Sequence, residues 1–200
     1  TTCTVSSVSG ASLMGTLTYT GTGATTYGPS TVAPTAAGTY ASVCSFPGDD
    51  NHDGPVTDES TVIIRTIPAT VTAGGGTKVY GSGADPALST IGTSGFLPAD
   101  LPAIVLTQSR VAGETVGGYV VTALATGAAT ANYTVSYTAG NFSITTKPLT
   151  VVANDKTKTQ GSVNPALDGT LAGVVAGDNI TATYSTTAVT ASPAGTYPIT

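Results

Sequence analysis

The sequence has few charged side chains and no tryptophan. Charged residues make up 8% of its 200 residues, with six Lys or Arg against eleven Asp or Glu, and the formal net charge is −5. Binding to nucleic acid or to an anionic membrane surface requires clustered cations that can pair with phosphates. The composition therefore predicts neither kind of partner.

Long apolar runs and the motifs of common catalytic sites are also missing. No run approaches the roughly 18 apolar residues of a membrane-spanning helix, so no membrane span is predicted. A Ser-His-Asp triad would have to use His52, the only histidine, which lies in a charged segment. The glycine-rich stretch 74–78 lacks the spacing of a phosphate-binding loop. We therefore predict that the chain is not an enzyme.

Helical periodicity is absent over any useful length, whereas short alternating segments are frequent. In residues 15–20, Leu17 and Tyr19 fall on one face and threonines fall on the other. Thr and Val favour strands, and 25 Gly and 12 Pro divide the chain into short segments. This pattern predicts an all-β fold of small Ig-like or Greek-key β-sandwich modules, without significant helix.

The sequence repeats itself with a period of about 80 residues, which suits a small β-sandwich and is too long for a solenoid repeat. The segment Pro34–Tyr40 returns as Pro193–Tyr197, with a degenerate copy at residues 116–119. Other pairs share the offset: Thr66–Pro68 with Thr146–Pro148, Thr77–Ser82 with Thr157–Ser162, and Asp85–Leu88 with Asn164–Leu167. The repeat predicts three modules, at residues 1–66, 67–146 and 147–200.

The third module lacks counterparts of two strand-like segments of the second, residues 133–137 and 142–145. Without them a sandwich would expose apolar faces and an unpaired strand edge. We therefore predict that this module is incomplete at its C-terminal end. Either the chain continues past Thr200, or a neighbouring subunit supplies a strand by β-augmentation.

The recurring tyrosines are Tyr40, Tyr119 and Tyr197, each with a glycine two residues ahead. In Greek-key sandwiches a tyrosine at this kind of position can hydrogen-bond back to a loop backbone and fix the corner. We predict that all three are corner anchors. The alternative is that they are simply core tyrosines, and neither interpretation makes them ligand contacts.

The only cysteines, Cys3 and Cys44, lie in strand-like segments. A redox pair or a metal site is not supported, since there is no C-x-x-C motif and only one histidine. A structural disulfide is predicted, which belongs to an oxidising, extracellular setting. Such a bond would stabilise the first module by about 4 kcal/mol in the chain-entropy model.

One polar segment suggests a metal. Asp49, Asn51, Asp53 and Gly54 fit the opening of a D-x-N-x-D-G calcium loop. The twelfth position of that loop is Ser60 rather than Glu, and no helices flank the segment. A Ca²⁺ site and a polar hairpin turn both remain open, and no other cofactor is predicted.

The chain resembles the MBG-type repeat, the "mostly β, glycine-rich" module of large bacterial surface proteins. The residues that carry the resemblance are Lys147–Val151, Ala153–Lys158, Asn164–Leu167, Gly177-Asp178, Pro193–Tyr197 and Ala131–Tyr133. The first module is similar to related bacterial Ig-like modules through Pro34–Tyr40 and Phe46–Asp49, and departs from them at His52, where Tyr usually follows Asn. The resemblance implies tandem spacer segments of secreted adhesins and surface fibres, with no catalytic residues to transfer.

These observations predict a non-enzymatic stalk or fibre segment of an extracellular bacterial filament or adhesin, with Ile67-Pro68 and Lys147-Pro148 as short linkers. Its expected partners are neighbouring modules of the same chain, or other copies in a fibre. The alternative is a carbohydrate- or surface-binding module that uses exposed tyrosines such as Tyr27, Tyr80 and Tyr184. An isopeptide cross-link through Lys78, Lys147 or Lys156 is a further possibility that no motif singles out.

Overall fold

A computed structural model describes residues 2–7, 10 and 12–200. Within them the regular structure is strand, apart from two short 3-10 helices, so the predicted all-β fold is confirmed. No helix of this part of the chain is long and apolar enough to cross a bilayer. The strands are β1 (Thr2–Ser6), β2 (Ser12–Gly21), β3 (Gly38–Phe46), β4 (Val56–Ile64), β5 (Ile67–Thr72), β6 (Gly76–Val79), β7 (Gly92–Ser94), β8 (Val105–Arg110), β9 (Gly117–Thr126), β10 (Tyr133–Thr138), β11 (Gly140–Thr145), β12 (Thr150–Ala153) and β13 (Gly169–Ala172). The 3-10 helices are Leu101–Ala103 and Ala128–Asn132.

The chain divides into two compact units whose boundaries differ from those of the sequence modules. The first unit comprises Thr1–Gly75, Ser89–Arg110 and Val120–Asn141, and the second comprises Gly76–Leu88, Val111–Tyr119 and Phe142–Thr200. The first module and most of the second therefore fall in one unit. The other unit combines the rest of the second module with the third.

The first four strands form one antiparallel sheet in which each strand pairs with the next along the chain. Strand β3 lies between β2 and β4 and pairs with both along its length. It carries the buried Tyr40 and Phe46, which are 1% and 7% exposed. The ring of Tyr27 packs edge-on against Tyr40, with ring centroids 5.6 Å apart. The apolar centre of this module is therefore built on β3.

A disulfide between Cys3 and Cys44 joins β1 to β3 across β2. Strands that flank a third strand in a flat sheet lie about 9.5 Å apart. The Cα atoms of the two cysteines are 6.0 Å apart, so the sheet curls around β2 here. Gly15 of β2 permits the crossing, because a Cβ at this position would lie 2.8 Å from Sγ of Cys3 and 3.1 Å from Sγ of Cys44.

The second module combines two sheets. Strand β5 is the centre of a three-stranded sheet, where it runs parallel to β10 and antiparallel to β7. The other sheet has the order β6-β11-β9-β8; in it β6 runs parallel to β11, and β8 pairs with β9 as a hairpin. One core cluster consists of Ala69, Val71, Ile104, Ala125 and Tyr133. Phe142 and Ile144 of β11 are also buried, at 0% and 1% exposure.

The third module contains the antiparallel pair β12 and β13, with Thr150 opposite Ala172. By sequence offset β12 corresponds to β5, but within the described residues it pairs with β13 alone. Its residues Val151 and Val152 are each 53% exposed, whereas Val71 of β5 is 0% exposed. In the same described part of the chain β5 has two strand neighbours, β10 and β7, whereas β12 has one.

Candidate functional site

The three recurring tyrosines make the same backbone contact. In each copy the phenolic hydroxyl donates to the carbonyl oxygen four residues earlier, at 2.7, 2.7 and 3.0 Å: Tyr40 to Ala36, Tyr119 to Thr115 and Tyr197 to Pro193. This is the geometry of a tyrosine that fixes the turn before its strand. Tyr40 is fully buried as well, while the other two are half-buried. A hydroxyl committed to the backbone in this way is a structural group in all three modules.

The predicted calcium ligands Asp49, Asn51 and Asp53 lie in the connection between β3 and β4. The backbone N–H groups of Asp49 and His52 each donate to the carbonyl of the other, at 3.0 and 3.3 Å. Oδ1 of Asp49 accepts the N–H of Asn51 at 2.9 Å and lies 2.8 Å from Nδ1 of His52. These bonds, the Asn51 N–H first, lower the pKa of Asp49. The local geometry is that of a polar turn.

Within residues 2–7, 10 and 12–200 no group of three or more His, Cys, Asp or Glu is placed to hold a metal. The proposed calcium ligands include Asn51, which such a group would not count. The calcium site therefore stays a prediction.

Lys78 is a buried cation at the end of β6, with its side chain 4% exposed. Its Nζ lies 2.6 Å from Oδ1 of Asp85, forms a second ion pair with Glu114 and donates to the carbonyl of Gly83 at 3.0 Å. The two carboxylates, Asp85 first, raise the pKa of Lys78. A protonated amine is a poor nucleophile, so this arrangement favours an ion-paired clamp between two loops over an isopeptide donor.

Hydrogen bonds connect the first module to the second. The N–H of Ala37, in the loop before Tyr40, donates to Oδ1 of Asn132 at 2.9 Å. The hydroxyls of Thr66 and Thr134 lie 2.6 Å apart. A small cavity of about 240 Å³ lies beside these contacts. The loop that precedes Tyr40 therefore meets the segment that precedes β10.

The chain passes from the first module to the second almost without a linker. Only Arg65 and Thr66 separate β4 from β5. Ile67 and Pro68 lie inside β5 rather than in a linker, which corrects the prediction from sequence. Strand β7 pairs only with residues 70–72, so this end of β5 has a neighbour on one side, where proline is tolerated.

The exposed tyrosines proposed for glycan binding are engaged within the chain. The hydroxyl of Tyr27 donates to the carbonyl of Val32 at 2.7 Å, and that of Tyr80 donates to Asp178 at 2.6 Å. The ring of Tyr184 lies over Gly169, where a Cβ would be 2.5 Å from it. All three side chains are half-buried, and none of these observations favours a glycan-binding role.

A cavity of about 670 Å³ lies in the third module, lined by residues that include Lys156, Lys158, Leu167, Tyr197 and Ile199. By sequence offset residues 156–159 correspond to β6. In the second module β6 is covered by β11, and a Cβ at Gly76 would lie 2.9 Å from the ring of Phe142. The cavity therefore lies beside the counterpart of the strand that pairs with β11 in the second module.

The unequal cover of β5 and β12 leads to a testable prediction. Val71→Ala should lower the free energy of unfolding by about 2 kcal/mol, because two buried methyl groups are lost from a closed core. Val151→Ala, at the corresponding position of β12, is expected to change it by less than about 0.5 kcal/mol. Urea unfolding followed by circular dichroism measures both. Equal losses would show that Val151 is buried in solution.

Sequence reasoning missed the residues that join the modules, among them Asn132, Val175 and Asp178. One signal was available, because Asp100 and Asp178 recur at the period of the repeat. Each closes a turn in which its N–H donates to the carbonyl three residues earlier, Leu97 for Asp100 at 3.0 Å and Val175 for Asp178 at 3.1 Å. A repeated turn of this kind indicates a shared structural role.

Comparison with known proteins gives one finding. No curated protein and no solved structure matches the chain. The family model described as "MBG domain (YGX type)" matches residues 69–143 and 149–200. Tyr80-Gly81-Ser82 has the Tyr-Gly-x form of that description, and Gln160-Gly161-Ser162 is its counterpart in the third module. Because the two matches cover more than half of its residues, the chain belongs to the MBG domain family, YGX type.

Proposed function

We propose that this chain is a non-enzymatic stalk or fibre segment of an extracellular bacterial surface filament or adhesin. The observation that carries the proposal is the way in which its modules follow one another. Like modules recur in series, and hydrogen bonds such as that from Ala37 to Asn132 join one to the next. A segment of this kind holds whatever it carries at a set distance.

The location outside the cell is supported by the cysteines. Both are used in the Cys3–Cys44 disulfide, which joins two strands of the first module. Such bonds persist in oxidising compartments and are rare where thiols are kept reduced. The membership of a repeat-domain family supports neighbouring modules of the same kind as the first partners of this chain.

A role without catalysis is supported by the position of the only histidine. His52 lies in the turn between β3 and β4, with Nδ1 against Asp49, and it lines neither of the two cavities described above. The larger cavity is lined by lysines, small polar groups and apolar residues such as Leu167 and Ile199. Self-association into a fibre fits the low charge of the surface, which gives little electrostatic repulsion between copies.

Immunogold labelling of intact source cells tests the proposal. Antibodies against residues 1–200 should decorate the outside of unpermeabilised cells, with gold particles at a distance from the envelope. An antibody against a cytoplasmic protein, applied to the same cells, is the control for leakage. Labelling that appears only after permeabilisation would contradict the extracellular role. Labelling confined to the envelope surface would contradict the role as a spacer.

A further inference from the structure

The junction between the second and third modules is made by two tight turns. One turn follows β6 and contains Tyr80 and Gly81; the N–H of Ser82 closes it by donating to the carbonyl of Val79 at 3.1 Å. The other runs from Val175 to Asp178 and is closed in the same way. We will call them the YG turn (residues 79–82) and the Asp turn (residues 175–178).

Polar and steric contacts hold the two turns together. The hydroxyl of Tyr80 donates to Oδ1 of Asp178 at 2.6 Å, a charge-assisted bond between half-buried groups. A Cβ at Gly81 would lie 2.3 Å from Cγ2 of Val175, so no larger residue fits against that valine. The backbone N–H of Tyr80 donates to the carbonyl of Thr145, the last residue of β11, at 2.8 Å. The YG turn is thereby tied to the strand that leads into the next module.

We propose that the YG turn is a docking site for the Asp turn of the following MBG module, and that this contact sets the angle between successive modules. The YG turn fits a partner that is a tight turn of four residues, of which the first is aliphatic and the fourth is aspartate. The phenol recognises the carboxylate, and the glycine leaves room for the aliphatic side chain.

Both halves of this joint recur elsewhere in the chain. The second module has its own Asp turn, from Leu97 to Asp100, and both residues line the cavity beside the first module. The third module has its own glycine turn, in which the N–H of Ser162 donates to the carbonyl of Thr159 at 3.1 Å. Each MBG module therefore has an Asp turn and a glycine turn. The carboxylate of Asp100 accepts from the hydroxyl of Tyr133 in its own module at 2.6 Å, whereas that of Asp178 accepts from Tyr80 of the preceding module. Such a head-to-tail contact extends a linear array.

Glycine substitutions supply a matched test of the steric contact. Gly81 and Gly83 both have positive φ, at 71° and 90°, so alanine strains the backbone at either site. A Cβ at Gly83 meets no atom within 4 Å, whereas one at Gly81 meets Val175. Gly81→Ala should therefore open the junction, and Gly83→Ala should leave it closed.

Double electron–electron resonance between spin labels at Thr77→Cys and Thr170→Cys measures the separation of the two modules. Both sites are exposed, and the native cysteines are bonded to each other. The parent chain should give one narrow distance distribution. Gly81→Ala should add a second, broad component that Gly83→Ala lacks. Equal distributions for the two glycine variants would overturn the proposal.

Tyr80→Phe and Asp178→Asn test the polar contact with little risk to folding. Each should raise the undocked fraction about ten- to a hundredfold, because a hydrogen bond to a charged group is lost. The double variant should be no more open than either single variant. Tyr137→Phe, on an exposed residue of β10, is the control. An unchanged undocked fraction in both Tyr80→Phe and Asp178→Asn would overturn the proposal.

Opening of the junction as a function of pH is a further measurement, and it would not depend on Tyr80 if this residue only filled space. The bond to Asp178, followed by its negative charge, raises the pKa of Tyr80. A phenol whose pKa is higher in the docked state stabilises that state. The stabilisation is complete below the pKa of the undocked phenol, near 10, and it is lost as the pH rises through the higher pKa of the docked phenol. The junction should therefore open at alkaline pH in the parent chain. If Tyr80→Phe opens over the same pH range and to the same extent, the phenol is not the group that titrates, and the polar contact is refuted.

Discussion

Replacing Cys3 and Cys44 together with alanine should lower the free energy of unfolding of the first module by about 4 kcal/mol. The disulfide joins residues 41 positions apart, and removing it restores the freedom of that loop in the unfolded chain. Chemical denaturation followed by circular dichroism measures the loss. Adding a reductant to the parent chain should reproduce it, and adding the reductant to the double variant should change nothing. A loss below about 1 kcal/mol would show that the sheet holds this module without the bond.

The route of the disulfide over β2 gives a matched control. Gly15→Val places a side chain where both Sγ atoms lie, although its backbone conformation does not demand glycine. We expect this change to destabilise the oxidised parent chain more than the double alanine variant, which lacks both Sγ atoms and keeps only the carbonyl oxygen of Ser45 close, 3.0 Å from a Cβ at this position. Equal effects in the two backgrounds would mean that the disulfide does not cross β2 at Gly15.

Phe142→Ala should destabilise the second module by about 3–5 kcal/mol, the range for a buried aromatic residue. The side chain is 0% exposed, and its ring lies against the backbone of Gly76. Phe142→Leu keeps most of the volume and is expected to cost less than about 1.5 kcal/mol. Urea unfolding with tyrosine fluorescence as the probe suits a chain without tryptophan. Equal losses for alanine and leucine would place Phe142 outside the core.

The all-β fold could be predicted because it depends on local patterns. Alternation of apolar and polar residues, as in Leu17 and Tyr19, specifies a strand whatever its partner. The repeat also identified the three recurring tyrosines. Each hydroxyl contacts a carbonyl only four residues earlier, so this contact depends on local sequence. Pairing of Cys3 with Cys44 followed from their being the only cysteines.

Strand partners could not be predicted in the same way. The parallel pairing of β5 with β10 brings Ile67 beside Tyr133, and β6 pairs with β11 at a similar distance along the chain. An alternating pattern indicates which face of a strand is buried and says nothing about which strand lies beside it. For this reason the sequence predicted a linker at Ile67 and Pro68. Pro68 is tolerated in β5 because the strand has a neighbour on one side only at this end, which is a property of the folded sheet.

The module junctions were missed because their residues have ordinary local roles. Asp178 in a turn and Gly81 after Tyr80 are what any tight turn prefers. Their importance depends on the contact between two turns almost 100 residues apart in sequence, 98 positions from Tyr80 to Asp178. Comparing equivalent positions of successive repeats is the approach that would reveal such pairs.

The parallel pairing of β6 with β11 has a mechanical consequence. These strands lie near the entry and the exit of the second module, and four residue pairs join them. When the two ends of the module are pulled apart, tension that has passed along β5 enters β6 from its N-terminal end and leaves β11 from its C-terminal end. The pulling force therefore acts on opposite ends of two parallel strands. It loads all the hydrogen bonds between β6 and β11 at once, in shear, and does not break them one at a time.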